Sequence, residues 1–182
     1  RNPRTAGREL PAGQLTEPQV AIFCLISLGV FLLAVWQLDP IVRWLWPIPV
    51  AGFVIYPYLK RFTWLSHLWL GAVDGLAPVG AWVAITGELP LEAWLLGGAV
   101  ACWVAGFDFF YALLDVDVDR REGLHSVATK FGEQGVFWGA RLLHAATIGL
   151  LIATGALLDV GPLYWFGVFT VAKPLFVPQD FN

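Results

Sequence analysis

Long apolar runs dominate the chain and alternate with short polar stretches. A helix that crosses a bilayer needs about 20 mostly apolar residues, and six stretches approach that length. They cover residues 19–38, 40–58, 67–85, 91–114, 135–157 and 162–177. Because backbone groups inside lipid must be hydrogen-bonded within their own segment, this pattern predicts an all-α, polytopic transmembrane helix bundle that forms a single domain.

Local signals support the first two of these spans. Thr16 is placed to cap the first helix, and Pro18 suits its first turn. Prolines 47, 49 and 57 predict kinks in the second span. Composition excludes a soluble domain, since 58% of the residues are hydrophobic and only 14% are charged, against about 25% charged in soluble proteins. The basic residues are too few and scattered for a nucleic-acid-binding surface.

Basic residues fall almost entirely in alternate loops, which indicates the orientation in the membrane. One set of loops covers residues 1–18, 59–66 and 115–134, and the other set holds Arg43 as its only basic residue. The basic residues of the first set are Arg1, Arg4, Arg8, Lys60, Arg61, Arg120, Arg121 and Lys130. The positive-inside rule therefore places the first set of loops in the cytoplasm, and we expect a multi-pass protein of a bacterial inner or plasma membrane.

The densest charge cluster lies at the cytoplasmic end of the fourth span, in "YALLDVDVDRREGLHSVATKFG". Asp115 and Asp119 are four residues apart, so a helix places both carboxylates on one face with Tyr111. Two such carboxylates can bind Mg²⁺, which leaves its other positions to water and phosphate oxygens. A solvated helix end is the plainer interpretation of an isolated DxxxD. Gly123 predicts a sharp turn after the cluster.

This stretch resembles the second aspartate-rich motif of the UbiA superfamily of intramembrane aromatic prenyltransferases, Y-A-x-x-D-x-x-x-D-x-x-x-G-x-x-S. Tyr111, Asp115, Asp119, Gly123 and Ser126 fall on that pattern. The block "YPYLKRFTWLSHLWLGAVDGLAPVGAW" resembles the family's Y-x-x-x-K-R-x-T region, and "NPRTAGRELPAGQLT" resembles the loop after its first motif. The resemblance covers nearly the whole chain and is strongest to the 4-hydroxybenzoate polyprenyltransferase branch and its menaquinone-pathway relatives.

The resemblance implies a Mg²⁺-dependent enzyme that transfers a polyprenyl group from polyprenyl diphosphate to a small aromatic acceptor such as 4-hydroxybenzoate, in quinone biosynthesis. It implies that Asp115 and Asp119 bind the metal and, with Lys60 and Arg61, form the catalytic set. The diphosphate contacts it implies are Tyr56, Lys60, Arg61, Tyr111 and Arg4. Phe107, Phe109 and Phe110 are candidates to stabilise an allylic cation through their ring faces. Asp74 and Asp108 are intramembrane acids, which are usually paired or functional.

The family's first motif, N-D-x-x-D-x-x-x-D, is absent from these residues, and about six of roughly nine family spans are present. We therefore expect residues 1–182 to be a truncated domain that is inactive alone. Two alternatives stay open at this point. One is a related enzyme with another acceptor, such as 1,4-dihydroxy-6-naphthoate or a tetrapyrrole. The other is a proton- or cation-coupled transporter that uses Asp74, Asp108 and Asp115.

Overall fold

The computed structural model describes residues 5–176, and within that range every regular element is a helix. The eight helices are α1 (Glu17–Trp36), α2 (Val42–Leu45), α3 (Pro47–Leu59), α4 (Ser66–Thr86), α5 (Leu91–Leu114), α6 (Val116–Arg121), α7 (Val127–Leu157) and α8 (Pro162–Phe176). The predicted all-α bundle is confirmed. Four helices in the described range are long and apolar enough to cross a bilayer, namely α1, α4, α5 and α7.

The helix boundaries follow the sequence signals closely at the N-terminal side. Thr16 caps α1 in a capping box with Gln19, and Pro18 lies in the first turn, as predicted. The third and fourth predicted spans match α4 and α5 to within a residue. The fifth prediction began too late, because a first turn capped by Ser126 precedes a break at Gly132 (φ 68°), and the long helix follows that break.

The second predicted span is divided into α2 and α3 at Trp46. The division has a simple cause: Pro47 and Pro49 lack the N–H groups that would continue the helical hydrogen bonds. The backbone of Trp46 nevertheless stays helical (φ −55°, ψ −31°). The kinks expected at these prolines and at Pro57 stay predictions, and neither piece reaches the length of a full span. The sixth predicted span forms α8, whose apolar part, Pro162–Ala172, is likewise shorter.

The centre of the bundle is α5, which packs along α4 on one side and α7 on the other. Small residues allow α4 and α5 to approach closely. A Cβ atom on Gly71 would collide with the carbonyl oxygen of Ala101, and one on Gly75 would lie 2.5 Å from that of Gly97. Backbones this close gain van der Waals contact, the main force that joins helices in lipid. We call the close contact at Gly71 and Gly75 the α4–α5 seam, and it fixes the depth of one helix relative to the other.

Hydrogen bonds from side chains to backbone carbonyls join the other neighbouring helices. Trp69 of α4 donates to Gly52 of α3 (3.0 Å), and Thr147 of α7 donates to Ala99 of α5 (3.2 Å). The Tyr164 hydroxyl of α8 donates to Leu151 of α7 (2.7 Å). The packing order is therefore α3, α4, α5, α7, α8. In contrast, α1 has only Val35 buried and leaves large apolar side chains exposed, as expected of a surface that meets lipid.

A methyl group added on the face of α4 that contacts α5 should destabilise the bundle, whereas one added elsewhere on α4 should not. Gly75→Ala should destabilise the bundle by about 1–3 kcal/mol, because the new methyl group meets backbone atoms that cannot move without separating the helices. Unfolding of helix structure by a denaturing detergent, followed by circular dichroism, measures the loss. Gly80→Ala is the matched control on the same helix, since no atom lies within 4 Å of its Cβ position. Equal stability of the two variants would contradict the close contact of α4 with α5 at Gly75.

Candidate functional site

The two aspartates of the DxxxD motif flank a break between α5 and α6. Helix α5 ends at Leu114, and Asp115 departs from helical geometry (φ −109°, ψ 1°) before α6 begins at Val116. The amide of Asp119 still donates to the carbonyl of Asp115 (2.8 Å), so the two residues remain one helical turn apart. The predicted spacing of the two residues therefore holds across the break. Asp115 is half-buried and Asp119 is buried.

A tight C-terminal cap fixes the position of Asp119. Gly123 follows α6 with φ +67°, which confirms the predicted turn. The Leu124 amide donates to the carbonyl of Asp119 (2.8 Å), and the Gly123 amide donates to that of Arg120 (3.4 Å). These two bonds form a Schellman motif, which satisfies the last carbonyls of a short helix. The chain then enters the buried capping box of Ser126 at the start of α7.

Lys60, at the end of α3, contacts the same aspartate from the opposite side. Its Nζ atom lies 3.3 Å from Oδ2 of Asp119, with 23% of the lysine side chain and 4% of the aspartate side chain exposed. The carbonyl of Lys60 also accepts a hydrogen bond from the amide of His125 (2.7 Å). Side chain and backbone together therefore hold the end of α3 against the turn that follows α6.

A second set of contacts lies one helical turn deeper in the bundle. Tyr56 precedes Lys60 by four residues and therefore shares its face of α3. Electrostatic interactions link the Tyr56 hydroxyl most strongly to Asp108, and less strongly to Asp74 and Asp115. Asp108 precedes Asp115 by seven residues, or two turns of α5.

Two facing stripes result from these contacts. One stripe, on α3, consists of Tyr56 and Lys60, and the other, on α5 and α6, consists of Asp108, Asp115 and Asp119. We call this arrangement the facing-stripe site. Sequence reasoning placed Asp115 and Asp119 on one face, with Tyr111 rather than Asp108, and the family resemblance implied Tyr56 and Lys60 as diphosphate contacts. The three-dimensional structure places Lys60 on Asp119 and Tyr56 beside Asp108.

His67 is a residue of this region that sequence reasoning missed. It lies in the first turn of α4, is 1% exposed, and places Nδ1 2.6 Å from Oδ2 of Asp108. A lone histidine at the start of an apolar helix gives no sequence signal, because its partner is 41 residues away. The expectation that an intramembrane acid is paired could have prompted a search for a partner of Asp108.

The other predicted diphosphate contacts are placed differently. Arg61 is exposed, with its guanidinium 5.9 Å from the centre of the Tyr58 ring. Tyr111 is 44% exposed and packs edge-on against Phe107, with ring centres 4.9 Å apart. Arg4 lies outside the described residues. The roles of these three residues stay predictions.

The three phenylalanines considered for cation stabilisation occupy different environments. Phe109 is buried in the core and packs edge-on against His67 (5.8 Å between ring centres). Phe110 packs against Phe137 of α7, at 5.6 Å. Phe107 is half exposed beside Tyr111. Phe109 is therefore a packing residue of the α4, α5 and α7 core, and Phe107 is the ring that lies next to the motif.

Asp115 and Asp119 are the residues of this site that could hold a metal ion. In the part of the chain that the structure describes, no group of three or more His, Cys, Asp or Glu residues could hold a metal ion. Mg²⁺ typically takes one or two protein carboxylates and completes its shell with water and phosphate oxygens. Asp115 and Asp119, one turn apart, can supply those carboxylates. Two carboxylates are too few for a cage made of protein alone, and an ion held by them would need further oxygen ligands.

The fold and the facing-stripe site define a polytopic helical protein with a polar site at one end of an apolar bundle, and comparison with known proteins identifies its family. The UbiA prenyltransferase family matches residues 1–180. The chain belongs to this family.

Individual relatives agree with the family assignment. The chain is 34% identical over 177 residues to the 4-hydroxybenzoate octaprenyltransferases of Yersinia pseudotuberculosis and Yersinia pestis. That match covers 97% of this chain and 61% of each relative, so the chain spans about three fifths of their length. A solved structure, the apo form of a UbiA homolog from Aeropyrum pernix K1, superposes with a TM-score of 0.88 at 31% identity, over 96% of this chain and 66% of that one. Together with the four apolar helices, these relatives identify a membrane-embedded protein.

The buried ion pair predicts a stability effect that is separable from catalysis. Lys60→Met should lower the free energy of unfolding by about 1–3 kcal/mol, because Asp119 would stay buried without its cation. The double variant Lys60→Met/Asp119→Asn should recover most of that loss, because the buried charge is gone.

Arg61→Met is the matched control, since it removes the same charge from the neighbouring, exposed position and exposed charges contribute little to stability. Detergent unfolding curves of the four proteins make the measurement. A Lys60→Met variant as stable as Arg61→Met would show that the contact is not energetically important.

Proposed function

We propose that the protein transfers a polyprenyl group from polyprenyl diphosphate to an aromatic acceptor such as 4-hydroxybenzoate, with the site on the cytoplasmic side of the membrane. The observation that carries this proposal is the contact of Lys60 with Asp119, which sets a basic and hydroxyl-bearing stripe opposite an acidic one. The names of the Yersinia relatives support the substrate pair. Family membership favours an enzyme over the transporter alternative.

Each stripe has a distinct task in binding the diphosphate. Asp115 and Asp119 would hold Mg²⁺, which supplies Lewis-acid stabilisation of the leaving diphosphate when bound. Lys60 places a positive charge beside Asp119, where it can neutralise charge that grows on the leaving group. Tyr56, one turn deeper, can donate a hydrogen bond to the oxygen that joins diphosphate to the prenyl chain. Arg61 and Tyr111 would complete the outer part of this site.

The reaction is a substitution at an allylic carbon. The bond between the first prenyl carbon and oxygen breaks, and its electron pair leaves with the diphosphate. The electron-rich acceptor ring then forms a carbon–carbon bond to the allylic cation, and loss of a ring proton restores aromaticity. Water would destroy such a cation, so a site within an apolar bundle protects it. Phe107, beside Tyr111, offers a ring that can stabilise the positive charge.

The cytoplasmic placement rests on the distribution of basic residues. The turns that frame the facing-stripe site carry Lys60, Arg61, Arg120, Arg121 and Lys130, whereas the opposite end of the bundle carries Arg43. The positive-inside rule assigns the first group of turns to the cytoplasm. Soluble aromatic acids and the diphosphate head group would then reach the site from the cytoplasmic surface.

The acidic stripe provides the principal test of the function. In the protein expressed from its native reading frame, Asp115→Asn should lower prenyl transfer at least about 10²-fold, because loss of one oxygen ligand weakens the metal-bound diphosphate. Transfer of a radiolabelled prenyl group from polyprenyl diphosphate to 4-hydroxybenzoate measures the effect. Chelation of Mg²⁺ should abolish transfer by the unsubstituted protein. Asp117→Asn is the matched control, because Asp117 is exposed in the first turn of α6, two residues after Asp115. If both variants transferred at the wild-type rate, the assigned metal ligands would be wrong.

Acceptor choice is tested by direct competition. We expect 4-hydroxybenzoate to be prenylated in preference to 1,4-dihydroxy-6-naphthoate and to tetrapyrroles, in line with the names of the similar Yersinia proteins. The assay offers the three acceptors at equal concentration with one polyprenyl diphosphate and identifies the products by mass spectrometry. Preferential prenylation of one of the other two acceptors would contradict 4-hydroxybenzoate as the acceptor, while prenyl transfer would remain the proposed reaction.

A further inference from the structure

His67 and Asp108 form a buried polar pair whose task neither the prenyl-transfer reaction nor the DxxxD motif explains. The His67 ring is 1% exposed, and its Nδ1 atom lies 2.6 Å from Oδ2 of Asp108. The ring also packs edge-on against Phe109, so it has little freedom to rotate. A polar pair in an apolar bundle is costly unless it is satisfied, and this distance is that of a short, strong hydrogen bond.

Asp108 connects three helices through one carboxylate group. It belongs to α5, accepts from His67 of α4, and interacts with the hydroxyl of Tyr56 on α3. Tyr56 is therefore held by a residue that is itself held by His67. Asp74 lies near the same carboxylate and interacts with it electrostatically. Because like charges repel, a donor on Asp108 is needed to stabilise the carboxylate beside Asp74.

The hydrogen-bonding roles within this chain follow from the chemistry of each group. An ionised carboxylate only accepts, so Nδ1–H of His67 donates to Asp108. The hydroxyl of Tyr56 interacts with the same carboxylate, but its single O–H can donate either to Asp108 or, once the substrate is bound, to a diphosphate oxygen. The other ring nitrogen, Nε2, is buried without a hydrogen-bond partner among the described residues. A neutral ring protonated on Nδ1 leaves only an acceptor unpaired at Nε2. His67 is thus the donor that stays on Asp108 when the Tyr56 hydroxyl turns to the diphosphate.

We propose that His67 is a positioning residue for prenyl transfer: it fixes the Asp108 carboxylate, which in turn orients the Tyr56 hydroxyl towards the diphosphate bound at the facing-stripe site. This inference rests on the proposed function and deepens it. The geometry distinguishes it from a simple link between α4 and α5. The small-residue seam at Gly71 and Gly75 already joins those two helices, whereas Asp108 connects His67 with Tyr56, a group of the diphosphate site.

The test compares two substitutions at His67 in the protein expressed from its native reading frame. His67→Leu removes the donor, and His67→Asn retains an amide N–H near the position of Nδ1. We expect His67→Leu to lower kcat/KM for polyprenyl diphosphate by about ten- to hundredfold, the range for loss of a charge-assisted hydrogen bond. The KM for the aromatic acceptor should stay within about twofold. His67→Asn should restore most of the activity.

A double-mutant cycle with Tyr56→Phe separates positioning from packing. If His67 acts through Asp108 on the Tyr56 hydroxyl, His67→Leu/Tyr56→Phe should be no more than about threefold worse than Tyr56→Phe alone, because residues in one network are not additive. His144→Leu is the matched control. That histidine is also within the bundle with an unpaired Nε2, but its ring lies 4.8 Å from that of Trp103. The kcat/KM of the His144→Leu variant should remain close to the wild-type value.

The possible results distinguish a failure of the proposed function from a failure of the inference about His67. Wild-type protein that transfers no prenyl group would overturn the proposed function and this inference together. Active wild-type protein with an equally active His67→Leu variant, or with fully additive effects in the cycle, would overturn the inference alone. Thermal unfolding of each purified variant accompanies the kinetics. If His67→Leu does not fold, a His67→Asn variant that folds and transfers normally supports the inference, and one that is equally unfolded shows that His67 serves packing only.

Discussion

A charged group inside an apolar bundle must have a partner, and this constraint organises the site. Asp119 is buried, and the cation that contacts it comes from the end of another helix, Lys60 of α3. The same requirement gives Asp108 its contacts with His67 and Tyr56. Because each pair joins residues that are 41 or more positions apart in sequence, pairing the charges also determines how α3, α4, α5 and α6 meet. Binding site and fold are thus fixed by the same contacts.

The packing of the helices sets where those charges lie. Backbone contact of α4 with α5 at the glycine seam fixes the depth of His67 relative to Asp108, since both residues project from the helices that the seam joins. The break after Leu114 and the Schellman motif after α6 then turn the chain so that Asp119 meets Lys60 rather than continuing along α5. Buried ion pairs add little stability when compared with apolar packing, but they can specify one arrangement. We regard the Lys60–Asp119 pair as a contact of that kind, retained because it aligns the two stripes.

The sequence predicted much of this architecture because its signals are local. Apolar run length located α1, α4 and α5, the capping residues located the start of α1, and the DxxxD spacing located two carboxylates one turn apart. The sequence-based predictions failed where the deciding interaction joins residues that are far apart in sequence, or depends on local backbone geometry. The prolines of the second span predicted kinks but not its division into two helices, and the helix start at Val127 depends on a buried cap at Ser126. His67 carried no pattern of its own, and its importance comes only from Asp108 on a different helix.

The most direct test of the facing-stripe site is photolabelling of the membrane-embedded protein with a non-hydrolysable polyprenyl bisphosphonate that carries a photoreactive group beside its phosphorus atoms. Labelled peptides would be identified by mass spectrometry, with and without Mg²⁺. We expect Mg²⁺-dependent labelling of residues 56–61 and 108–119, because these segments face each other through Lys60 and Asp119. Labelling confined to α1 or α8, or equal labelling without the metal, would contradict a diphosphate site between the two stripes.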